Sequence, residues 1–153
     1  MKRFIILLSL IWFLTGCNEY ILFEDYFAAF VPTSKSFTLV DAEGTIEAEY
    51  PVHLTSAKPS SPIIITYELI VGDGLKEGKD YILLNKSDQL TFYPGIYDAS
   101  IKIKWLANPD IDSAKNNTLT IRLVSANQDL ILGYPGPDEH NREMKITKYL
   151  LTN

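Results

Sequence analysis

The chain has 153 residues, with 14 lysines and arginines against 19 aspartates and glutamates, two histidines and a single cysteine, Cys17. One cysteine excludes an intramolecular disulfide and a cysteine-based metal cluster. The acidic balance has the wrong sign for binding phosphate backbones, so no nucleic-acid partner is expected.

The N-terminus has the features of a secretory signal. Lys2 and Arg3 precede an apolar segment from Phe4 to Leu14, and small residues follow it. The segment is about half of the ~20 residues that a membrane-spanning helix needs. We therefore predict a signal peptide over residues 1–16 and no permanent transmembrane helix. Its removal leaves 12 basic against 19 acidic residues, a formal charge of −7.

The residues Leu14-Thr15-Gly16-Cys17 resemble the lipobox of bacterial lipoproteins. The resemblance implies lipidation of Cys17, with palmitate-type acyl chains that together give stable anchoring where one chain would not. The alternative is an ordinary secretory signal that ends at a chance cysteine. We expect a lipid-anchored cell-envelope protein, at the outer membrane and facing the periplasm or the surface; the residues after Cys17 do not distinguish the outer from the inner membrane.

The first predicted elements are strands. Residues 17–31 read as a lipidated tether with a first strand at Ala28 to Val31. From Thr45 to Leu54 apolar and polar residues alternate, which is the period of a half-buried strand. Pro51 lies on the outward set and lacks an N–H, which predicts an edge strand or a bulge. The segment Ile63 to Val71 is β-branched and partly apolar on both faces, as a central strand is.

Further strands follow at intervals marked by turn residues. Their pattern predicts about seven strands in all and no helix after the signal. We therefore expect an all-β, antiparallel, immunoglobulin-like β-sandwich over residues 32–153. The later segments are Leu90 to Phe92, Ala99 to Trp105 with Trp105 inward, Thr118 to Leu123, and Glu143 to Leu150 with Met144 and Ile146 on one face.

Residues that could support catalysis are few and scattered. His53 lies on the polar face of a predicted strand, His140 lies in a loop, and neither belongs to a nucleophile elbow. Glu47 and Glu49 point outward, where like charges keep a strand edge soluble. The sequence predicts no catalytic residues, and an enzyme is the third hypothesis for the function.

One loop contains a candidate metal site. Asp110 and Asp112 lie between two predicted strands, with Asn116 and Asn117 close behind. Calcium binds hard oxygen ligands of this kind, although aspartate and asparagine are also common turn formers. No cofactor is expected apart from this candidate calcium ion.

Three tyrosines lie beside Pro-Gly turns: Tyr93, Tyr97 and Tyr134. Exposed aromatic rings stack on sugars, which makes these residues candidates for ligand binding. The alternative is that they cap the core and bond their hydroxyls to backbone groups.

A longer pattern resembles the Calx-beta domains. It combines Gly78-Lys79-Asp80-Tyr81, then Leu90-Thr91-Phe92-Tyr93-Pro94-Gly95, then alternating strands as far as Ser125. The resemblance implies a seven-stranded sandwich in which Asp80 braces its turn, Tyr81, Leu90 and Phe92 face the core, and Pro94-Gly95 ends a strand. In calcium-binding members an acidic run follows the I-x-I strand, whereas this loop has only two aspartates.

A lipobox followed by one such domain also resembles small lipoproteins found beside glycan importers of the SusC/SusD kind. We therefore expect a lipid-anchored accessory protein that works by binding, with a polysaccharide or an envelope protein as ligand, or by docking on such an importer. The alternative hypothesis is a calcium-dependent adhesion or stalk module.

Overall fold

The computed structural model describes residues 26–56 and 58–150. The expected signal peptide, Cys17 and most of the expected tether lie outside these residues. The described residues form ten strands, and no helix among them is long and apolar enough to cross a membrane. In chain order the strands are β1 Phe27–Phe30, β2 Leu39–Asp41, β3 Ile46–Thr55, β4 Ile63–Val71, β5 Tyr81–Leu83, β6 Gln89–Phe92, β7 Asp98–Trp105, β8 Thr118–Ala126, β9 Ile131–Leu132 and β10 Glu143–Tyr149.

The strands form two five-stranded sheets, ordered β5-β7-β3-β1-β9 and β2-β10-β8-β4-β6. This confirms the predicted all-β sandwich, but the expected count of about seven strands is too low. The three additional strands, β2, β5 and β9, have only two or three residues each, too few to show an alternating pattern. β1–β9 and β10–β2 pair in parallel and the other pairs are antiparallel.

Alternation places one face of each long strand in the core. On β3, Ala48 and Tyr50 are buried, whereas Glu47 and Glu49, which alternate with them, point outward. These glutamates lie opposite lysines of β7: Glu47 is 3.6 Å from the ammonium of Lys104, and Glu49 is 3.5 Å from that of Lys102. The outward face of this sheet is therefore a ladder of exposed charge pairs.

The predicted edge position of Pro51 is wrong, because β3 lies between β7 and β1 with a continuous register. The Pro51 carbonyl accepts a hydrogen bond from Val31 N–H at 2.9 Å, so the Pro51 backbone faces the β1 side. β1 ends at Phe30. The missing N–H of Pro51 therefore falls at the point where the neighbouring strand stops, at the margin of the β1–β3 ladder.

The core confirms the expected inward residues. Trp105, Tyr81, Leu90 and Phe92 are all buried between the sheets. The Trp105 indole N–H donates to the Tyr50 hydroxyl at 3.2 Å, and that hydroxyl donates to a backbone carbonyl. β4 pairs with both β8 and β6, as predicted for a central strand.

Because of the directions of the strands, the loops lie at two opposite ends of the sandwich. Tyr26, the described residue nearest to Cys17, lies at one end, which we call the tether end; the β3–β4, β6–β7 and β8–β9 loops lie there too. The opposite end, which we call the distal end, carries the β2–β3, β4–β5 and β7–β8 loops. The candidate functional residues divide between these two ends.

Candidate functional site

A buried ion pair joins three segments at the distal end. Asp80, at the end of the β4–β5 loop, and Lys148 of β10 are each 1% exposed. The Lys148 ammonium donates to Asp80 Oδ1 at 3.0 Å and to the Leu106 carbonyl at 2.8 Å. Asn108 Nδ2 donates to the same Asp80 oxygen at 2.7 Å. One carboxylate therefore connects β10, the β4–β5 loop and the start of the β7–β8 loop.

The expected turn-bracing role of Asp80 agrees with its second oxygen, which accepts the backbone N–H of Lys76 at 2.9 Å. The partner Lys148 was not predicted from the sequence. The feature of the sequence that points to this role is the position of Lys148 in β10. Met144, Ile146 and Lys148 occupy successive inward positions there. A lysine in an inward series needs a buried acceptor, and Asp80 supplies it.

The environment of Asp80 favours its ionised form. Burial alone raises the pKa of this carboxyl group, but hydrogen bonds from Asn108, Lys148 and the Lys76 backbone act in the opposite direction, together with the charge of Lys148. The result is a pKa below the ordinary value of aspartate. The Asp80 carboxyl group is therefore ionised at neutral pH.

The candidate calcium ligands Asp110 and Asp112 lie on the rim of a nearby depression of about 290 Å³. Asp112 Oδ1 accepts the Ala114 N–H at 2.9 Å, and the Asp112 carbonyl accepts Asn117 Nδ2 at 2.9 Å. Asp110 is exposed on the same rim. Asp112 is thus part of the turn that its residue type favours.

The charges around this depression are mixed. Asp73 Oδ1 accepts the Asn116 N–H at 2.9 Å. Within residues 26–56 and 58–150, no three His, Cys, Asp or Glu side chains are grouped so that they could hold a metal ion. As arranged, these residues do not fit a calcium shell, because lysines share the rim with the carboxylates. The charged rim residues are Asp73, Asp110, Asp112, Lys76, Lys79 and Lys115.

The tyrosine candidates do not share one surface. Tyr93 is 61% exposed, and Tyr97, four positions later in the β6–β7 loop, is half-buried. Tyr134 packs edge-on against Phe27 of β1, with ring centroids 5.4 Å apart. Because β3 separates β1 from β7, Tyr134 lies apart from the other two.

The tether end also has a depression, of about 210 Å³, that the sequence did not predict. Tyr26, Lys58 and Asp129 are on its rim, and Ile63 lies below them. These residues come from three separate segments of the chain, so no local motif marks the site.

Both histidines lie beside carboxylates on the surface. His53 Nδ1 is 2.8 Å from Asp98 Oδ1, on the outward face of the β3–β7 ladder. His140 Nε2 is 3.5 Å from Asp138. Their side chains are 44% and 75% exposed, respectively, as expected for surface residues.

Comparison with known proteins supports two of these conclusions. The family described as "Prokaryotic membrane lipoprotein lipid attachment site" matches residues 1–18, which confirms the predicted lipid attachment site. No curated protein matches the sequence.

The fold is similar to a Calx-beta domain. The solved structure "Crystal structure of CBD12 from CALX1.2" aligns with a TM-score of 0.56 and 16% identity, over 80% of this chain. The alignment spans 44% of that longer chain. This similarity confirms the sandwich architecture.

Proposed function

We propose that this lipid-anchored envelope protein is a non-catalytic accessory module, which binds a polysaccharide or an envelope protein beside an outer-membrane glycan importer. The observation that carries the proposal is that the tether end and the distal end lie on opposite sides of the sandwich. The chain approaches from the lipid attachment site at the tether end, and the braced loops lie at the distal end. Such an arrangement suits a domain that presents its distal loops away from the membrane.

The polysaccharide hypothesis uses Tyr93, Tyr97 and Tyr134. Tyr93 and Tyr97 lie in the β6–β7 loop at the tether end, so this hypothesis places the sugar at the opposite end from a protein partner on the distal loops. Its support is the exposure of Tyr93 and Tyr134, which are 61% and 39% exposed. We would screen a glycan array with soluble protein that starts after Cys17, and compare Tyr93→Ala and Tyr134→Ala with Leu39→Ala as an equally exposed control. Binding that is lost only in the tyrosine variants supports the hypothesis; no bound glycan contradicts it.

Calcium is not part of the proposed function, although the distal loops contain Asp110 and Asp112. The Lys148 ammonium already lies between the Asp80 carboxylate and the Leu106 carbonyl, and three lysines share the neighbouring rim. We expect millimolar-range calcium to leave the thermal midpoint unchanged, since a tight site would raise the midpoint by mass action. A marked rise that Asp112→Asn abolishes would favour the adhesion or stalk hypothesis instead.

The importer partnership can be tested first from the genes that neighbour the one encoding this protein. Neighbouring genes that encode an importer pair of the SusC/SusD kind would favour glycan uptake. Co-purification of the lipidated protein with that pair, and its loss on disruption of the distal loops, would identify the docking end.

A further inference from the structure

The β6–β7 loop presents a compact apolar turn at the tether end. Tyr93 is 61% exposed and Ile96 is 51% exposed. We propose that this turn, Tyr93-Pro94-Gly95-Ile96, contacts the lipid bilayer and holds the tether end of the domain against the membrane surface.

The composition around the turn suits a membrane interface. No charged residue occurs from Gln89 to Tyr97. Tyrosine is enriched at membrane–water interfaces, because its ring is apolar and its hydroxyl remains hydrated. The next residue, Asp98, is held by His53 at 2.8 Å, on the outward face of the sheet. The turn can thus enter the interface without carrying a charge with it.

The turn is closed by one internal backbone hydrogen bond. The Ile96 N–H donates to the Tyr93 carbonyl at 2.8 Å, and the Tyr97 carbonyl accepts from Leu54 N–H at 2.8 Å. Pro94 has no N–H, and Gly95 has a φ of 90°, so the segment is a type II turn. The Ile96–Tyr93 bond and the missing N–H of Pro94 reduce the number of polar backbone groups that are desolvated when the turn enters the interface.

The tether confines the turn to the neighbourhood of the membrane. Tyr26 follows Cys17 by nine residues, a contour of at most about 30 Å. Tyr26 and the β6–β7 turn lie at the same end of the sandwich. Contact with the bilayer is therefore intramolecular, with an effective concentration of roughly millimolar, so a small apolar surface is sufficient.

The chemistry of the turn favours lipid over the other ligands considered. The side chains of Pro94, Gly95 and Ile96 contain no hydrogen-bonding group, whereas sugar sites need several polar groups around the stacking ring. The formal charge of −7 on the mature chain disfavours electrostatic attraction to anionic lipid. Apolar insertion into a zwitterionic surface is the mode that the residues support.

The test uses the full-length lipidated protein in phosphatidylcholine vesicles. Cys17 is the only cysteine, and its sulfur carries the lipid, so one introduced cysteine can be labelled selectively. We would place an environment-sensitive fluorophore at Ile96→Cys and, as a control, at Leu39→Cys. Leu39 is 64% exposed and pairs with Thr147 near the distal end. Nitroxide-labelled lipids then report proximity to the bilayer.

We expect the fluorescence emission of the label at position 96 to shift to shorter wavelength and to be quenched by the nitroxide lipids. The label at position 39 should show neither effect. Equal quenching at both positions, or none at position 96, would overturn the proposal. A label at position 96 that is shielded only when a polysaccharide or protein is added would identify that molecule as the occupant and overturn it as well.

A second variant separates the turn from the tether. With the label on Lys58→Cys, another exposed tether-end residue, the double substitution Tyr93→Ser/Ile96→Ser should reduce quenching severalfold. Both residues are exposed, so the thermal midpoint should be unchanged. Undiminished quenching at position 58 would show that the tether alone positions the domain, which contradicts the proposal.

Discussion

Lys148 occupies an inward position of β10, following the apolar residues Met144 and Ile146 on the same face. A buried ammonium is tolerated only where acceptors surround it, and the Asp80 carboxylate and the Leu106 carbonyl provide them. The pair connects residues that are 68 positions apart in the sequence. At the scale of single residues, this contact braces the distal end.

Lys148→Met should lower the free energy of unfolding by about 3–5 kcal/mol, because it leaves the buried Asp80 carboxylate without its cation. Lys145→Met on the same strand is the control; its ammonium lies 3.9 Å from Glu143 and is 70% exposed, so the change should cost less than about 1 kcal/mol. Urea unfolding measures both. The double variant Asp80→Asn/Lys148→Met should recover part of the loss, and equal effects of the two lysine variants would contradict this account.

The lowered pKa of Asp80 predicts an acid-dependent loss of stability. Its folded pKa lies below the unfolded value of about 3.9. The stabilisation is therefore complete above about pH 4–5 and is lost as the pH falls through the folded pKa. In urea unfolding at a series of pH values, the stability difference between wild type and Asp80→Asn should shrink as the solution is acidified. A difference that does not depend on pH would exclude this role.

At the scale of elements, the long strands are determined by the alternation of polar and apolar residues in their own sequence. The short strands are determined by pairing with neighbouring strands. β2, β5 and β9 are edge strands of two or three residues that pair with strands distant in sequence. The β4–β5 and β7–β8 loops also approach each other closely: the Gly74 N–H donates to the Asn116 carbonyl at 3.0 Å. No side chain fits between the two loops at this crossing.

Gly72→Ala should therefore destabilise the protein by about 1–3 kcal/mol, the usual cost of overpacking. A Cβ atom at Gly72 would lie 2.1 Å from the Asn116 carbonyl oxygen, which belongs to the backbone and cannot rotate away. Gly44→Ala is the matched control, because a Cβ atom there meets nothing within 4 Å. Thermal or urea unfolding compares the two, and similar midpoints would contradict the predicted close crossing.

At the scale of the whole molecule, the lipid attachment site and the tether end give the domain an orientation. The described chain begins at Tyr26, beside the β8–β9 loop, with the Ile131 N–H donating to the Tyr26 carbonyl at 2.9 Å. The distal loops lie at the far end of β3, a strand of ten residues, roughly 30 Å away. Under the proposed function, the tether end faces the membrane and the distal loops face a partner.

Cys17→Ala should abolish incorporation of an alkyne-labelled fatty acid, because this substitution removes the predicted acceptor of the lipid in the attachment site. Thr15→Ser, a conservative change in the same motif, should retain the label. In-gel fluorescence after metabolic labelling measures the outcome. Label that persists in Cys17→Ala would place the lipid elsewhere or contradict lipidation at this site.

The sequence by itself determined the lipid attachment motif, the long strands and the inward direction of Trp105, and its resemblance to Calx-beta domains implied the inward direction of Tyr81 and Phe92. These features depend on neighbouring residues, because a lipobox is contiguous and side chains alternate along any strand. Only the tertiary structure decided that Pro51 lies in an interior strand, that Lys148 reaches Asp80, and that the Tyr93–Ile96 turn shares an end with the tether. Each of these depends on pairing between segments distant in sequence, which no local period encodes.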